Sequence, residues 1–79
     1  FINKNMSNKI DLHGIKHENV QRALDQFFWQ MMQKGHSEVE VITGISNKMK
    51  EIVQEVSKDY NFKVEEIPLN PGALIIIIK

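Results

Sequence analysis

Four consecutive residues, Asp11-Leu12-His13-Gly14, have the types and spacing to do chemistry. They end an alternating run, Ile10-Asp11-Leu12-His13, that reads as a β-strand broken by a glycine. In a strand, residues i and i+2 share a face, so Asp11 and His13 are expected side by side, with Ile10 and Leu12 on the other face. A carboxylate beside an imidazole fixes the ring's orientation and tautomer, and such a histidine moves protons near neutral pH. Gly14 lets the backbone turn into whatever follows. A surface strand carrying two polar residues is the plainer account of Asp-x-His. Its position, at a strand end that opens a helix, favours the chemical one.

The elements that must hold this quartet follow from periodicity. From about His17 to Lys34, the residues Val20, Leu24, Phe27, Phe28, Met31 and Met32 recur at three- and four-residue spacing, which predicts an amphipathic helix. Its start has no good cap, since neither Lys16 nor His17 is a preferred N-cap residue, whereas Gly35 suits the position just past its end. His36 then falls in a loop at the end of the helix away from the quartet. Val39 and Val41 alternate with Glu38 and Glu40, predicting a second strand through Ile42. Thr43-Gly44-Ile45-Ser46-Asn47 breaks it, and Ser46 or Asn47 caps a second helix whose stripe is Met49, Ile52, Val53, Val56 and Tyr60. Phe62, Val64 and Ile67 form a third strand, Pro68 to Gly72 a turn, and Ala73 to Ile78 a last strand.

The order is β-α-β-α-β-β, an α/β chain expected to form an α+β two-layer sandwich with a four-stranded mixed sheet and two helices. Strands alternating with helices imply right-handed crossovers and a parallel core of three strands, the fourth running antiparallel to the third. The unbroken apolar run of that fourth strand implies burial on both faces, hence a central place or cover by a partner. Phe27-Phe28-Trp29 spans more than one face of the first helix; core packing accounts for it better than a partner surface does.

Composition narrows the function classes. The 79 residues make one small domain, with 42% hydrophobic and 25% charged residues, an ordinary globular balance. Lys+Arg and Asp+Glu both number 10, so any nucleic-acid contact must come from a local patch rather than the field of the whole domain. Cysteine is absent, which removes disulfides, thiol catalysis and sulfur-ligated zinc. Ala73 to Ile78 is too short to span a membrane, and Phe1-Ile2-Asn3-Lys4-Asn5 lacks the apolar core of a signal peptide, so no membrane partner and an intracellular, cytoplasmic protein are expected. Met6 could be a natural start, with residues 1–8 read as a disordered N-terminal extension and 9–79 as the domain.

The carboxyl ends of the three parallel strands lie on one edge of such a sheet, where open α/β sheets bind ligands. The loops there are Gly14-Ile15-Lys16, Thr43 to Asn47 and Pro68 to Gly72, and two of them lead into helix N-termini that favour anions. On that topology Asp11, His13, Gly14, Lys16, Thr43, Gly44, Ser46, Asn47, Lys48, Asn70 and Gly72 are expected to gather around one phosphate-sized site. His17 either reaches that phosphate or only begins its helix. Ser46 and Asn47 need be no more than a cap, and Asn70-Pro71-Gly72 no more than a turn. No cofactor motif is present. A divalent metal held by Asp11, His13 and His17 is the one candidate, and it is a poor one because the His13-x-x-x-His17 spacing straddles a glycine turn.

Ile10-Asp11-Leu12-His13-Gly14, the amphipathic helix, the Val41-Ile42-Thr43-Gly44 strand end and the glycine turn before a final Ile-rich strand resemble an Smr (small MutS-related) domain over about Lys9 to Lys79. The resemblance implies a two-layer fold similar to the C-terminal domain of bacterial initiation factor three. It also implies nucleic-acid binding, and in many members an endonuclease that nicks DNA or cuts RNA, including messenger RNA on stalled ribosomes. Asp11 and His13 match the family's Asp-x-His, the pair associated with cleavage. The second family motif, His-Gly-x-Gly-x-Gly, falls on Thr43 to Lys48, where only Gly44 matches. Ser46 and Lys48 stand where glycines are usual, which limits how closely backbone approaches a phosphate, and hydroxyls of Thr43 and Ser46 and the Lys48 ammonium are the available substitutes. Asn70-Pro71-Gly72 stands for the family's glycine-rich turn.

Three function classes follow: an endonuclease cleaving RNA or DNA with Asp11 and His13 at its centre; a non-catalytic RNA-, DNA- or ribosome-binding module using the same edge; and a protein-interaction domain, hinted at only by Trp29. Binding is the firmer expectation, because the pair is intact while its glycine-rich neighbour is not.

Overall fold

The computed structural model describes residues 8–79. Residues 1–7, with Met6 and most of the expected extension, lie outside the described residues. Asn8, assigned to that extension, is tied to the sheet: its amide donates to the Glu38 carbonyl at 3.1 Å, and its own carbonyl accepts the Glu40 N–H at 2.9 Å.

Six elements follow in chain order: β1 (Lys9–Asp11), α1 (His17–Gln33), β2 (Glu38–Ile42), α2 (Asn47–Asp59), β3 (Lys63–Ile67) and β4 (Asn70–Ile77). They build one four-stranded mixed sheet in the order β1-β2-β4-β3. β1 and β2 pair in parallel, and β4 runs antiparallel to both β2 and β3. The expected parallel core is therefore corrected: β1, β2 and β3 share a direction, but β4 is inserted between β2 and β3, so only β1 and β2 touch as parallel neighbours. The central place of β4 follows from its apolar run, which forms the middle of the sheet.

Both helices pack into one core with one face of the sheet. Val20, Leu24, Phe27, Phe28 and Met31 of α1 and Met49, Val53 and Val56 of α2 meet Leu12, Val39, Val41, Leu74 and Ile76. Register explains which strand residues are chosen: Val39 pairs with Ile76 and Val41 with Leu74, so the alternating positions of two neighbouring strands form one apolar surface. The opposite face corrects a second expectation, since Ile75 and Ile77 are half-buried rather than enclosed. Their partners there are charged, Glu40 and Glu65 opposite Ile75, Glu38 and Lys63 opposite Ile77. The stems of such side chains cover apolar neighbours while their heads stay in water. Met32 and Trp29 are exposed as well, so the core claims Phe27 and Phe28 but leaves Trp29 outside.

Local chemistry sets the element ends. α1 starts at Lys16 with no side-chain cap and ends in a Schellman motif, with Gly35 at φ 79°, Gly35 N–H donating to the Met32 carbonyl and His36 N–H to the Met31 carbonyl, each at 3.1 Å. α2 is capped by Ser46, whose hydroxyl oxygen accepts the Met49 N–H at 3.1 Å. It ends in the same motif with Asn61 at φ 62° in place of a glycine. Phe28 packs edge-on against Tyr60 and Phe62, ring centroids 5.2 and 5.1 Å away, at that end of α2. The turn expected over Pro68 to Gly72 is shorter than its sequence suggests. Ile67 pairs directly with Asn70, so Pro68 and Leu69 alone make the turn and Asn70-Pro71-Gly72 already belongs to β4. Proline followed by a residue at positive φ is the signature of a type II turn, and Leu69 at φ 65° occupies a position that glycine or asparagine usually fills, at a cost of about 1 kcal/mol.

Candidate functional site

β1 ends at Asp11, so Leu12 and His13 already lie in the turn toward α1. Leu12 is fully buried, pulled into the core, and its N–H still donates to the Ile42 carbonyl at 2.8 Å. That anchor throws His13 outward, where it is exposed, and Gly14 at φ 89° completes the reversal. Among the described residues, Asp11 makes no hydrogen bond to the imidazole. Its Oδ1 accepts the backbone N–H of His13 at 2.9 Å, an Asx turn that fixes the backbone from which the ring projects. The carboxylate therefore positions His13 through the main chain, and among the described residues no side chain hydrogen-bonds the imidazole.

The ring lies against Gly44. A Cβ built on Gly44, which sits at φ 69°, would stand 3.1 Å from His13 Cδ2, so the close approach and the backbone angle both favour glycine here. Gly44 in turn lies against Gly72, whose own Cβ position is 3.8 Å from Gly44 Cα. The Gly72 carbonyl accepts the N–H groups of Thr43 at 2.8 Å and Gly44 at 3.0 Å, clamping the end of β2 to the start of β4. Asn70 Oδ1 accepts the Gly72 N–H at 3.2 Å. His13, Gly44, Gly72 and Asn70 thus form one continuous line from the turn after β1, past the end of β2, to the start of β4, although they are separated by as many as 59 positions in the sequence, 72 less 13.

Thr43 takes a different part from the one expected. It is 2% exposed, and its hydroxyl donates to the Gly44 carbonyl at 2.7 Å, with the Gly72 carbonyl at 3.3 Å. It pins the loop instead of offering a donor to a ligand. Ser46 is occupied as the cap of α2, while Asn47 and Lys48 are exposed in that helix's first turn. Lys16 and His17 are exposed where α1 begins, beside Gly14. α1 has no capping side chain, and although the Asn19 N–H donates to the Lys16 carbonyl at 2.9 Å, this end of the helix, which follows Gly14 by two residues, favours an anion. Among the described residues, neither Lys16 nor Lys48 is in an ion pair; the pairs found are Lys9–Glu40 at 3.9 Å and Lys63–Glu65 at 3.6 Å. Asp11, His13 and His17 are not brought together as a metal site, since no group of three or more histidine, aspartate or glutamate side chains is close enough among the described residues.

Residues 10–68 match the family model of the Smr domain, well over half of the 79-residue chain. The chain belongs to the Smr family. The solution structure of the SMR domain of NEDD4-binding protein 2 has the same fold, with a TM-score of 0.76 over 100% of this chain and 93% of that one, at 24% identity. No curated protein sequence matches the chain. The Smr family is known for nucleic-acid binding and nuclease activity. In this Smr domain the Asp-x-His pair keeps its sequence but divides its labour, one residue holding backbone and the other presented to solvent. No helix among the described residues is long and apolar enough to cross a membrane.

Sequence reasoning passed over two apolar residues at this edge. Ile45, next to Gly44, is 79% exposed, and Leu69, next to Asn70, is 103% exposed. Their signal in the sequence is an isolated large aliphatic residue inside a turn.

Proposed function

We propose that this Smr domain binds nucleic acid at its carboxyl edge and acts as an endonuclease through His13. The observation that supports this best is the exposed imidazole of His13 resting on the Gly44 shelf beside the uncapped N-terminus of α1. A phosphodiester drawn to that terminus and to Lys16 and Lys48 places its bridging oxygens within reach of a proton-transferring group.

RNA fits the residues most economically. His13 takes the proton of a 2′-hydroxyl as that oxygen attacks phosphorus, forming a new P–O bond while the bond to the 5′-oxygen breaks. The departing 5′-oxygen takes up a proton from solvent water, leaving a 2′,3′-cyclic phosphate and a 5′-hydroxyl, and His13 returns its proton to solvent. Lys16, Lys48 and the α1 N–H groups stabilise the charge gathering on the nonbridging oxygens. Asp11 keeps His13 aimed by holding its main-chain N–H. DNA lacks the 2′-hydroxyl, so a nick there needs an activated water or a divalent metal.

Incubation with single-stranded RNA, structured RNA and supercoiled DNA tests the proposal, with His13→Ala and Asp11→Ala as controls. Cutting of RNA that disappears in His13→Ala supports it, and cutting that survives both substitutions removes His13 from the chemistry. Binding without cutting selects the second reading, a non-catalytic RNA-, DNA- or ribosome-binding module. That reading is favoured by the single glycine kept at Gly44 and by the absence of a hydrogen bond between Asp11 and the ring among the described residues.

A further inference from the structure

A cleft of about 430 Å³ opens between the first turns of α2 and the β3–β4 hairpin, with Lys50, Glu66, Pro68, Leu69, Asn70 and Pro71 around it. Three features of it call for a ligand. Leu69 holds a left-handed backbone angle, φ 65°, and presents its whole side chain to water, so it contributes nothing to the core while occupying a position better suited to glycine. Pro68 and Pro71 flank it with rigid apolar surface, which costs little entropy to hold in place. The polar groups are of three kinds, the Lys50 ammonium, the Glu66 carboxylate and the Asn70 amide, whose Oδ1 is bound to Gly72 N–H while its NH₂ group is not used in that bond.

We infer that this cleft is a nucleobase subsite, holding one unpaired nucleotide of the strand whose phosphate lies at His13. The inference rests on the nucleic-acid reading of the edge. Asn70 joins the two places, being in the cleft and bonded to Gly72, which clamps the Gly44 shelf under the His13 ring. Continuity with that shelf selects a nucleotide over a peptide as the occupant. The face of the base packs on Leu69 and the prolines, its edge meets the Asn70 amide and the Glu66 carboxylate, and the neighbouring phosphate meets Lys50. A base inside a duplex is stacked on both sides and cannot enter, so the cleft makes this edge selective for single strands or loops.

Fluorescence anisotropy with labelled single-stranded RNA and DNA oligonucleotides, and with the duplexes of the same sequence, tests this on the full chain. Leu69→Gly suits the positive φ, removes the side chain and should not unfold the domain; Leu69→Asn is a second variant that tolerates the same angle. Both are expected to weaken single-strand binding about fivefold, the scale of losing a partly buried leucine side chain, and to change duplex binding less than about twofold. The salt dependence should stay as in the wild type, because no phosphate contact is lost. Lys50→Gln should make the slope of log K against log salt shallower by about 0.7 for single strands. Wild-type-like single-strand binding by both Leu69 variants, or an equal loss on duplex and single strand, would overturn the subsite and leave the edge standing. A wild-type protein that binds none of the oligonucleotides would overturn the edge as well.

Discussion

His13 depends on two neighbours in different ways, and substitution separates them. Gly44→Ala forces a Cβ to within 3.1 Å of the His13 ring and into φ 69°, so the ring must shift and the loop is strained by about 1–2 kcal/mol. Thermal melting should show a fall of several degrees, and nucleic-acid binding should drop by more than that loss of stability explains. Asp11 acts through one carboxyl oxygen on a main-chain N–H, which an asparagine side chain also accepts. Asp11→Asn is therefore expected to keep most of the cleavage rate, while Asp11→Ala loses it together with the turn. Equal loss in both would show that the negative charge itself is needed. If cleavage is present, His13→Gln should lower its rate by about 10²–10⁴ with the melting curve unchanged, the range for removing a general acid or base.

At the scale of elements, α2 carries its own tests because it is fixed at both ends by identifiable bonds. Ser46→Ala removes the acceptor for the Met49 N–H and should cost about 1 kcal/mol, read by denaturant unfolding. At the other end the Tyr60 hydroxyl donates to Asp25 Oδ1 at 2.7 Å, tying α2 to α1. That hydrogen bond above all, then burial and the negative charge of Asp25, push the Tyr60 pKa from 10.0 up to about 12. The folded state thus binds the tyrosine proton more tightly than the unfolded chain does. Its contribution is complete below about pH 10 and is lost as pH rises from there to about 12. Tyr60→Phe should lower stability at neutral pH and flatten the fall across that window, which stability measured against pH would show. Within the same helix the fully buried Ser57 hydroxyl has no hydrogen-bond partner among the described residues, so Ser57→Ala should be neutral or stabilising by up to about 1 kcal/mol.

The whole molecule is small enough that its core has little redundancy. At 79 residues its total stability is about 4–12 kcal/mol, and Phe28, fully buried and in contact with Phe27, Tyr60 and Phe62, carries a large share. Phe28→Ala should cost about 3–5 kcal/mol, enough to leave much of the protein unfolded at 37 °C by circular dichroism. Electrostatics works at the same scale. Since the formal net charge is zero, the proposed attraction to a polyanion has to come from local groups such as Lys16, Lys48 and Lys50, not from the sum over the surface.

The order of elements was legible because it depends on local periodicity: Val20 to Met31 at helical spacing, Val39 and Val41 at strand spacing, Ser46 and Gly35 at helix ends. The apolar run of β4 pointed to a central strand or one covered by a partner, and β4 does lie between β2 and β3, although only one of its faces is enclosed. The family was legible from Asp11-Leu12-His13-Gly14 taken together with the Val41-Ile42-Thr43-Gly44 strand end and the order of elements, not from the quartet alone. Tertiary structure decided the rest, because it depends on contacts between residues far apart in sequence. Pairing of β2 with β4 sets Gly72 against Gly44 and turns Thr43 inward. Burial of Leu12 ends β1 early and passes the Asp11 carboxylate to the backbone of His13. The register of β3 against β4 shortens the hairpin and leaves Leu69 in water. A sequence states which side chains are present; the pairing of distant strands determines which of their atoms are already bonded and which remain free for a ligand.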